Sequence, residues 1–168
     1  EDEEGPVTFE IQAINMAGDT VGIDSTTNRS ELVYDLSPPA EFTVGKVAVS
    51  GGVVVENFWN MSNQNISVQI PIDSDYSLID GNAQVLVQFD TTDVPVSIGN
   101  SIAISDTLIG DTLEVTIGKM ELESVPSFVV GSKAIFTARL TDFAGYSQVG
   151  SPSANQIHIT DTTSIIEN

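Results

Sequence analysis

Phe9–Gly18 reads FEIQAINMAG and Phe136–Gly145 reads FTARLTDFAG, and this pair of stretches decides the fold. The two copies start at positions 9 and 136, which are 127 residues apart. Each is followed by a polar loop, a short apolar strand and an ending centred on an aspartate; these are Asp35 and Asp161, 126 residues apart. A period of this length is the size of a small domain. The chain is therefore predicted to be a section of a tandem array that holds the end of one module and all of the next.

The chain is strongly acidic, with a hydrophobic content typical of a folded domain. Its 168 residues are 40% hydrophobic, and 24 acidic residues against 5 basic ones give a net charge of −19. Such a charge repels nucleic acid and anionic lipid, and it attracts divalent cations. The absence of cysteine excludes disulfides and sulfur-ligated zinc. No run of about 20 apolar residues occurs, so no membrane insertion is expected within this segment.

Alternating apolar and polar residues predict β-strands along most of the chain. The clearest sets are residues 7–13, 66–70, 83–89, 113–117, 134–140 and 157–159, with weaker ones at 42–49, 53–55 and 96–104. About seven to eight short strands separated by turn residues such as Gly51-Gly52 are typical of an all-β, antiparallel β-sandwich. The single helical pattern, Lys119–Val125, is one turn long and ends before Pro126.

The repeat also sets the domain boundaries. Residues 1–36 are predicted to be the last two strands of a preceding repeat, residues 37–40 a proline-rich linker, residues 41–163 a complete module, and residues 164–168 the start of the next linker. Ser37, Pro38 and Pro39 stiffen the junction, because proline fixes φ and favours an extended residue before it. Asp35 completes the junction set. Since two strands alone are marginal in water, residues 1–36 are expected to pair with the complete module, with another chain or with an absent partner.

Several short motifs follow one another in a fixed order over residues 1–163. They are Phe42–Gly45, Phe58–Asn60, Asp142-Phe143-Ala144-Gly145 and the endings Asp161-Thr162-Thr163 and Asp35-Leu36-Ser37-Pro38-Pro39. The order resembles the tandem bacterial immunoglobulin-like repeat modules of large secreted or cell-surface, adhesin-like proteins. The resemblance implies an immunoglobulin-like sandwich, an extracellular or cell-surface location and no enzymatic activity. The sequence departs from that pattern at Asn15, where the family prefers Asp, and after both Ala-Gly pairs, where the family has Asn.

Acidic loop residues predict a calcium site. Asp73 and Asp75 lie in the loop after one predicted strand, Asp142 in the loop after another, and Asp161 at the exit to the next module. Calcium takes six to eight oxygen ligands, so carboxylates that meet at one pole of a sandwich would hold Ca²⁺ and stiffen the joint between modules. The alternative is that each aspartate makes a local turn or cap.

Two loop sequons, Asn28-Arg29-Ser30 and Asn60-Met61-Ser62, make Asn28 and Asn60 candidate glycosylation acceptors. Chance occurrence in a chain rich in Asn and Ser is the alternative explanation. Asn65 also lies in a sequon but abuts a predicted strand, which makes it a poorer acceptor.

The aromatic and catalytic residue types point away from an enzyme. Trp59 is the single tryptophan, and an anchor in the sandwich core is favoured over an exposed platform for sugars. His158 is the single histidine, and no Gly-x-Ser-x-Gly motif accompanies it. No catalytic residue is therefore assigned.

The predicted function is that of a non-catalytic structural or adhesive repeat, a stalk module of an extracellular multidomain protein, with calcium as an added stiffener. Its partners would be neighbouring repeats of the same chain and cell-surface glycans or proteins. One alternative is a carbohydrate-binding module of a polymer-degrading protein, which an exposed Trp59 would favour. Another is a surface-layer or filament subunit in which residues 1–36 complete a neighbour's sheet by strand donation.

Overall fold

The chain divides into two compact units, Glu1–Ser37 and Pro38–Asn168, called here the first and second units. A computed structural model describes residues 5–24, 32–90 and 94–161. The boundary between the units falls within the predicted 37–40 linker. Each unit is built from β-strands, and the predicted all-β sandwich class is confirmed.

Over residues 5–24 and 32–37, the first unit has two small antiparallel sheets. Strand β1 (Gly5–Val7) pairs with β4 (Leu32–Tyr34), and β2 (Ile11–Ile14) pairs with β3 (Thr20–Ile23). The predicted strand over residues 7–13 is therefore interrupted, since residues 8–10 lie outside both β1 and β2.

The second unit is a sandwich of two sheets. Its elements are β5 (Val47–Ser50), β6 (Phe58–Trp59), β7 (Asn65–Pro71), β8 (Asn82–Phe89), β9 (Val96–Ser97), β10 (Ile102–Ala103), β11 (Thr112–Gly118), α1 (Lys119–Glu123), β12 (Lys133–Thr141), β13 (Ser147–Val149) and β14 (Ile157–Ile159). The larger sheet has the order β10-β8-β12-β14-β6, with β9 beside β8 and β13 beside β12, and the smaller sheet has the order β11-β7-β5.

Three details differ from the predicted antiparallel sandwich of seven to eight strands. The described part of the second unit has ten strands, because the 96–104 segment forms two separate short strands and the hairpin after β12 adds β13. The strand predicted at 53–55 is wrong: only Val55 makes an isolated bridge, and β6 lies at residues 58–59. One pair is parallel, since β6 runs alongside β14 in the same direction. A two-residue strand such as β6 carries almost no periodic signal, so its pairing is set by the surrounding fold.

The core forms because the alternating apolar residues of both sheets point inward. On β7, Ile66, Val68 and Ile70 are fully buried, and their partners on β11 are Ile117, Val115 and Leu113. On the larger sheet, bulky and small residues face each other across β8 and β12, as in the Phe89–Ala134 and Ala83–Leu140 pairs. Each large aliphatic or aromatic side chain contributes roughly 1.5–3 kcal/mol when fully buried. The inward faces of both sheets belong to one hydrophobic cluster.

Helix α1 closes one side of this core. Leu122 is buried, and the Glu121 carboxylate accepts the backbone N–H of Gly118 at 2.8 Å, which satisfies a free donor at the start of the helix. Trp59 is 1% exposed and donates its indole N–H to Glu123 at 3.3 Å, so the predicted core position of this residue is confirmed. The single helical turn predicted at residues 119–125 is also present.

The chain enters and leaves the second unit at opposite ends. Residues 42–44 run parallel to the segment after β13, through the Thr43–Ser151 bridge, and so head away from the hairpin turn at 142–146. At the other end, the Ile159 N–H donates to the Ser132 carbonyl, next to the first residue of β12. The hairpin end is called the N-terminal pole and the Ser132 end the C-terminal pole. Nine-residue β12 separates the poles by about 26 Å, at about 3.3 Å per residue.

Candidate functional site

The two hairpin turns that carry the repeated sequence share their main hydrogen bonds. The Asn15 N–H donates to the Asp19 carbonyl at 3.0 Å, and the Asp142 N–H donates to the Tyr146 carbonyl at 3.0 Å. The Asn15 Oδ1 accepts the Asp19 N–H at 2.9 Å, and the Asp142 Oδ1 accepts the Tyr146 N–H at 2.8 Å. Asn15 makes two further bonds, since its Oδ1 also accepts the Ala17 N–H and its Nδ2 donates to the Asp19 carboxylate. Asn15 and Asp142 therefore supply the same acceptor to the residue four positions later.

The glycine of each turn also has the same conformation. Gly18 has φ of +90° and Gly145 has φ of +95°, which is backbone that other residues rarely adopt. Each glycine N–H donates to the carbonyl of the residue three positions earlier, at 3.0 and 3.2 Å. The repeated Ala-Gly motif thus encodes one turn geometry at two places 127 residues apart.

The strand pairs beside the two turns also correspond, but they shift the predicted alignment of Asp35 with Asp161. Val7 pairs with Leu32 in the first unit, and Ala134 pairs with Ile157 in the second. Positions 7 and 134 differ by 127, whereas positions 32 and 157 differ by 125. The alignment of Asp35 with Asp161, an offset of 126, is therefore one residue out of register with the strand pairing.

The loops of the N-terminal pole bring three of the four predicted calcium ligands to one end of the sandwich. The Phe143 N–H donates to the Ser77 carbonyl at 3.1 Å, which places the hairpin turn beside the loop that contains Asp73 and Asp75. Asp75 accepts the Ser77 N–H at 2.9 Å, and Asp73 accepts a neighbouring N–H at 2.7 Å. These are the local turn interactions named above as the alternative to metal binding.

Asp142 stands out among these acids because it is buried. It is 3% exposed, its Oδ1 accepts the Tyr146 N–H, and its Oδ2 is buried without a hydrogen-bond partner. Leaving such an atom unpaired costs free energy.

Asp161 is separated from the other three predicted ligands. It follows β14 at the C-terminal pole, so the length of β12 lies between it and Asp142. Within this unit, Asp161 is therefore not brought together with Asp73, Asp75 and Asp142. Over residues 5–24, 32–90 and 94–161, no group of three or more His, Cys, Asp or Glu side chains is placed to hold a metal ion. Calcium binding remains a prediction.

The predicted junction residues are ordered at the boundary between the units. The Asp35 Oδ1 accepts the Ser37 N–H at 3.1 Å, an Asx-type turn that leads into the prolines. Pro39 is buried and Pro38 is exposed. The second proline therefore anchors the linker, while the first lies at the surface.

Asn60 belongs to a buried hydrogen-bond network, which corrects its assignment as a glycosylation acceptor. It is 2% exposed, and its Nδ2, the atom that would carry a glycan, donates to the Val53 carbonyl at 2.8 Å. Asn63, fully buried, accepts the Asn60 N–H at 2.7 Å and donates to the Gly51 carbonyl at 2.8 Å. The network fixes the Gly51–Gly52 turn. Asn28 lies outside the described residues.

Three exposed aromatic side chains at the N-terminal pole were not assigned from the sequence. Tyr76 is 77% exposed, and Phe143 and Tyr146 are also exposed. Residues 76 and 143 are far apart in sequence, but the hydrogen bond from the Phe143 N–H to the Ser77 carbonyl brings their loops together. Their position next to loop aspartates was the one available signal. At the other pole, the half-buried His158 stacks on Phe58, with ring centroids 5.1 Å apart.

Comparison with known proteins gives no assignment. No protein-family model matches the sequence, and no curated protein sequence matches it. Among the described residues, no helix has both the length and the apolar character needed to cross a bilayer. The resemblance to bacterial immunoglobulin-like repeats therefore remains a prediction that rests on the motifs themselves.

Proposed function

We propose that this chain is a section of a tandem array of immunoglobulin-like sandwich modules that acts as a structural, non-catalytic stalk in a secreted or cell-surface protein. The duplicated hairpin carries the proposal. Two turns with the same main hydrogen bonds, the same left-handed glycine and a spacing of 127 residues are expected when one module follows another in a single chain.

The path of the chain through the second unit suits a load-bearing role. The chain enters the second unit on the side of the N-terminal pole and leaves at the C-terminal pole. Tension along the polypeptide therefore acts roughly parallel to the strands. The hydrogen bonds that join β5 to β7 and β14 to β12 are perpendicular to the strands, as in any antiparallel pair. They are then sheared together rather than opened one at a time.

Single-molecule force spectroscopy tests this role. The chain has no cysteine, so handles can be attached at chosen pairs of introduced cysteines. Handles at Glu41 and Asp161 pull from opposite poles, and matched handles at Tyr76 and Tyr146 pull from one pole. We expect the opposite-pole pair to unfold in one step at clearly higher force. The extended length of residues 41–161 is about 400 Å at 3.3–3.6 Å per residue, from which the folded separation is subtracted. Equal forces in the two geometries, or stepwise opening from opposite poles, would contradict a load-bearing module.

Calcium would add stiffness at the N-terminal pole, where the loops that carry Asp73, Asp75 and Asp142 lie. A ligand that binds only the folded state raises stability by an amount that grows with its concentration above Kd. Calorimetric titration after chelation, followed by thermal melts with and without Ca²⁺, measures this directly. A melting temperature unchanged up to millimolar Ca²⁺ removes calcium from the proposal and leaves the stalk role in place.

Sugar recognition is a second candidate function, favoured by the exposed aromatic residues of the N-terminal pole. Aromatic faces beside carboxylates can stack on sugar rings and accept their hydroxyl hydrogens. Trp59 does not contribute, because it is buried in the core. NMR titration with a panel of oligosaccharides should shift resonances of Tyr76 and Phe143, and Tyr76→Ala should remove the effect while Tyr34→Ala retains it. No shift with any sugar would leave the structural role alone.

A further inference from the structure

The first unit exposes the residues whose equivalents form the core of the second unit. With the 127-residue offset of the hairpins, four apolar positions correspond: Val7 to Ala134, Phe9 to Phe136, Ile11 to Ala138 and Ala13 to Leu140. The second member of each pair is at most 1% exposed, whereas Phe9 is 39% and Ile11 is 62% exposed. The same sequence pattern is therefore covered in one unit and open in the other.

In the second unit, these positions are enclosed by the strands paired with β12 and by the smaller sheet. Strand β8 pairs with β12 from Ala134 to Thr141 along one edge, while β13 and β14 pair along the other. The smaller sheet, β11-β7-β5, supplies the opposite wall of the core. In the first unit, β3 and β4 take the places of β13 and β14. The edge of β1 and β2 that corresponds to the β8-paired edge of β12 has no strand partner among the described residues.

The open hairpin has one wholly apolar face and one mixed face, on which Gln12 lies opposite Gly22 and Ile14 opposite Thr20. Ile11 lies opposite Ile23, and Ala13 lies opposite Val21, so these four side chains share a face. The other face holds Gln12, whose amide donates to the Glu10 carboxylate at 2.9 Å. An apolar face beside an unpaired strand edge is the geometry that β-strand addition uses.

We propose that residues 7–14 form an acceptor for an antiparallel β-strand with alternating apolar side chains, placed as β8 is placed on β12. The inference rests on the proposed function, because the equivalence of the two hairpins identifies the missing strand. The partner is a strand like β8. In an array, this strand would come from another part of the module to which the hairpin belongs.

The size of the acceptor side chains specifies the partner further. In the second unit, Val85 faces Ala138 and Ala83 faces Leu140. In the first unit, the equivalent acceptor positions carry the larger Ile11 and the smaller Ala13. Because cores need complementary volumes, the matching strand should be small opposite Ile11 and large opposite Ala13. The β8 sequence NAQVLVQF therefore becomes a better partner when Ala83→Leu and Val85→Ala are both introduced.

The test fuses this altered eight-residue strand, through a flexible Gly/Ser linker, to the N-terminus of the full chain. Backbone amides of residues 7–14 should exchange with solvent at least about tenfold more slowly in the fusion than in the unfused chain, since a paired edge is protected. A fusion that carries the unaltered β8 sequence should protect less, and a scrambled strand should not protect at all.

Two neighbouring substitutions serve as matched controls. Ile11→Glu places a charge on the apolar face and should abolish protection, whereas Gln12→Glu places the same charge on the opposite face and should retain it. Absence of protection in every fusion would overturn the proposal. Protection already present in the unfused chain, rising with protein concentration and lost in Ile11→Glu, would also overturn it, because a second copy would then be the occupant. Force spectroscopy reads only the second unit, so failure here is distinguishable from failure of the stalk function.

Discussion

Replacing Phe136 by alanine should destabilise the second unit strongly, while the equivalent change at Phe9 should leave it unaffected. Phe136 is fully buried between β8 and the smaller sheet, and Phe9 lies in a separate compact unit. The two residues occupy corresponding places in the repeated sequence, so the pair compares the same substitution with and without a surrounding core.

The magnitude follows from the burial of the ring. A buried phenylalanine removes roughly 150–250 Å² from water, and alanine retains only part of that area. At about 25 cal/mol per Å², and with the cost of the remaining cavity added, Phe136→Ala should lower the free energy of unfolding by about 3–5 kcal/mol. Phe9→Ala should change that quantity by less than about 0.5 kcal/mol, as is usual for exposed positions away from the core in question.

The assay is urea unfolding followed by fluorescence of Trp59. This residue is the single tryptophan and is buried in the second unit, so its emission reports that unit alone. With a slope of about 2 kcal/mol per M of urea, the Phe136→Ala midpoint should fall by about 2 M. A loss below about 1 kcal/mol would refute the assigned core position. A similar shift with Phe9→Ala would refute the independence of the two units.

Three further outcomes are expected. Asp142→Ala removes the acceptor of the Tyr146 N–H and should lower the free energy of unfolding by about 1–2 kcal/mol. Asp142→Asn keeps an acceptor and should lower it by less than about 0.5 kcal/mol. Equal losses of stability in thermal melts would exclude the turn hydrogen bond as the cause. In Gly52→Ala the added Cβ would collide with the Ser62 carbonyl oxygen. This change should lower the melting temperature more than Gly131→Ala, since Gly131 also has positive φ but no atom within 4 Å of the added Cβ. Equal losses would show that the backbone conformation alone matters. Raising salt from about 0.01 to about 0.15 M should raise the melting temperature, because the net charge of −19 is then screened over about 8 Å instead of about 30 Å, and a fall would count against self-repulsion.

The sheets were predictable because their signal is local. On β7 and β11, every second residue is apolar, and each of these positions is buried. A period of two forces alternate side chains to one face, so the pattern indicates which face turns inward before any partner is known. The single helical turn was predictable for a similar reason, since Pro126 limits its length.

The candidate site was harder to predict because it depends on contacts between distant loops. The sequon at Asn60 has the pattern of a surface acceptor, but the Asn60 side chain is buried, where it donates to the Val53 carbonyl and accepts from the N–H and the hydroxyl of Ser62. The four predicted calcium ligands were grouped because they are acidic residues in loops or at the module exit, without knowledge of the pole at which each lies. Strand direction decides their positions, and it places Asp161 at the pole opposite Asp142.

The two hairpins show what an alternating pattern can and cannot specify. Phe9 and Phe136 stand in the same motif, beside turns with the same main hydrogen bonds, yet one ring is exposed and the other is buried. Local sequence therefore determines the turn and the inward face, while burial depends on whether β8 and a second sheet are present. Since an exposed apolar edge promotes association with other strands, a chain that retains this hairpin gains most from a neighbouring strand that covers it. The proposed acceptor role of residues 7–14 follows from this difference in burial between two similar hairpins.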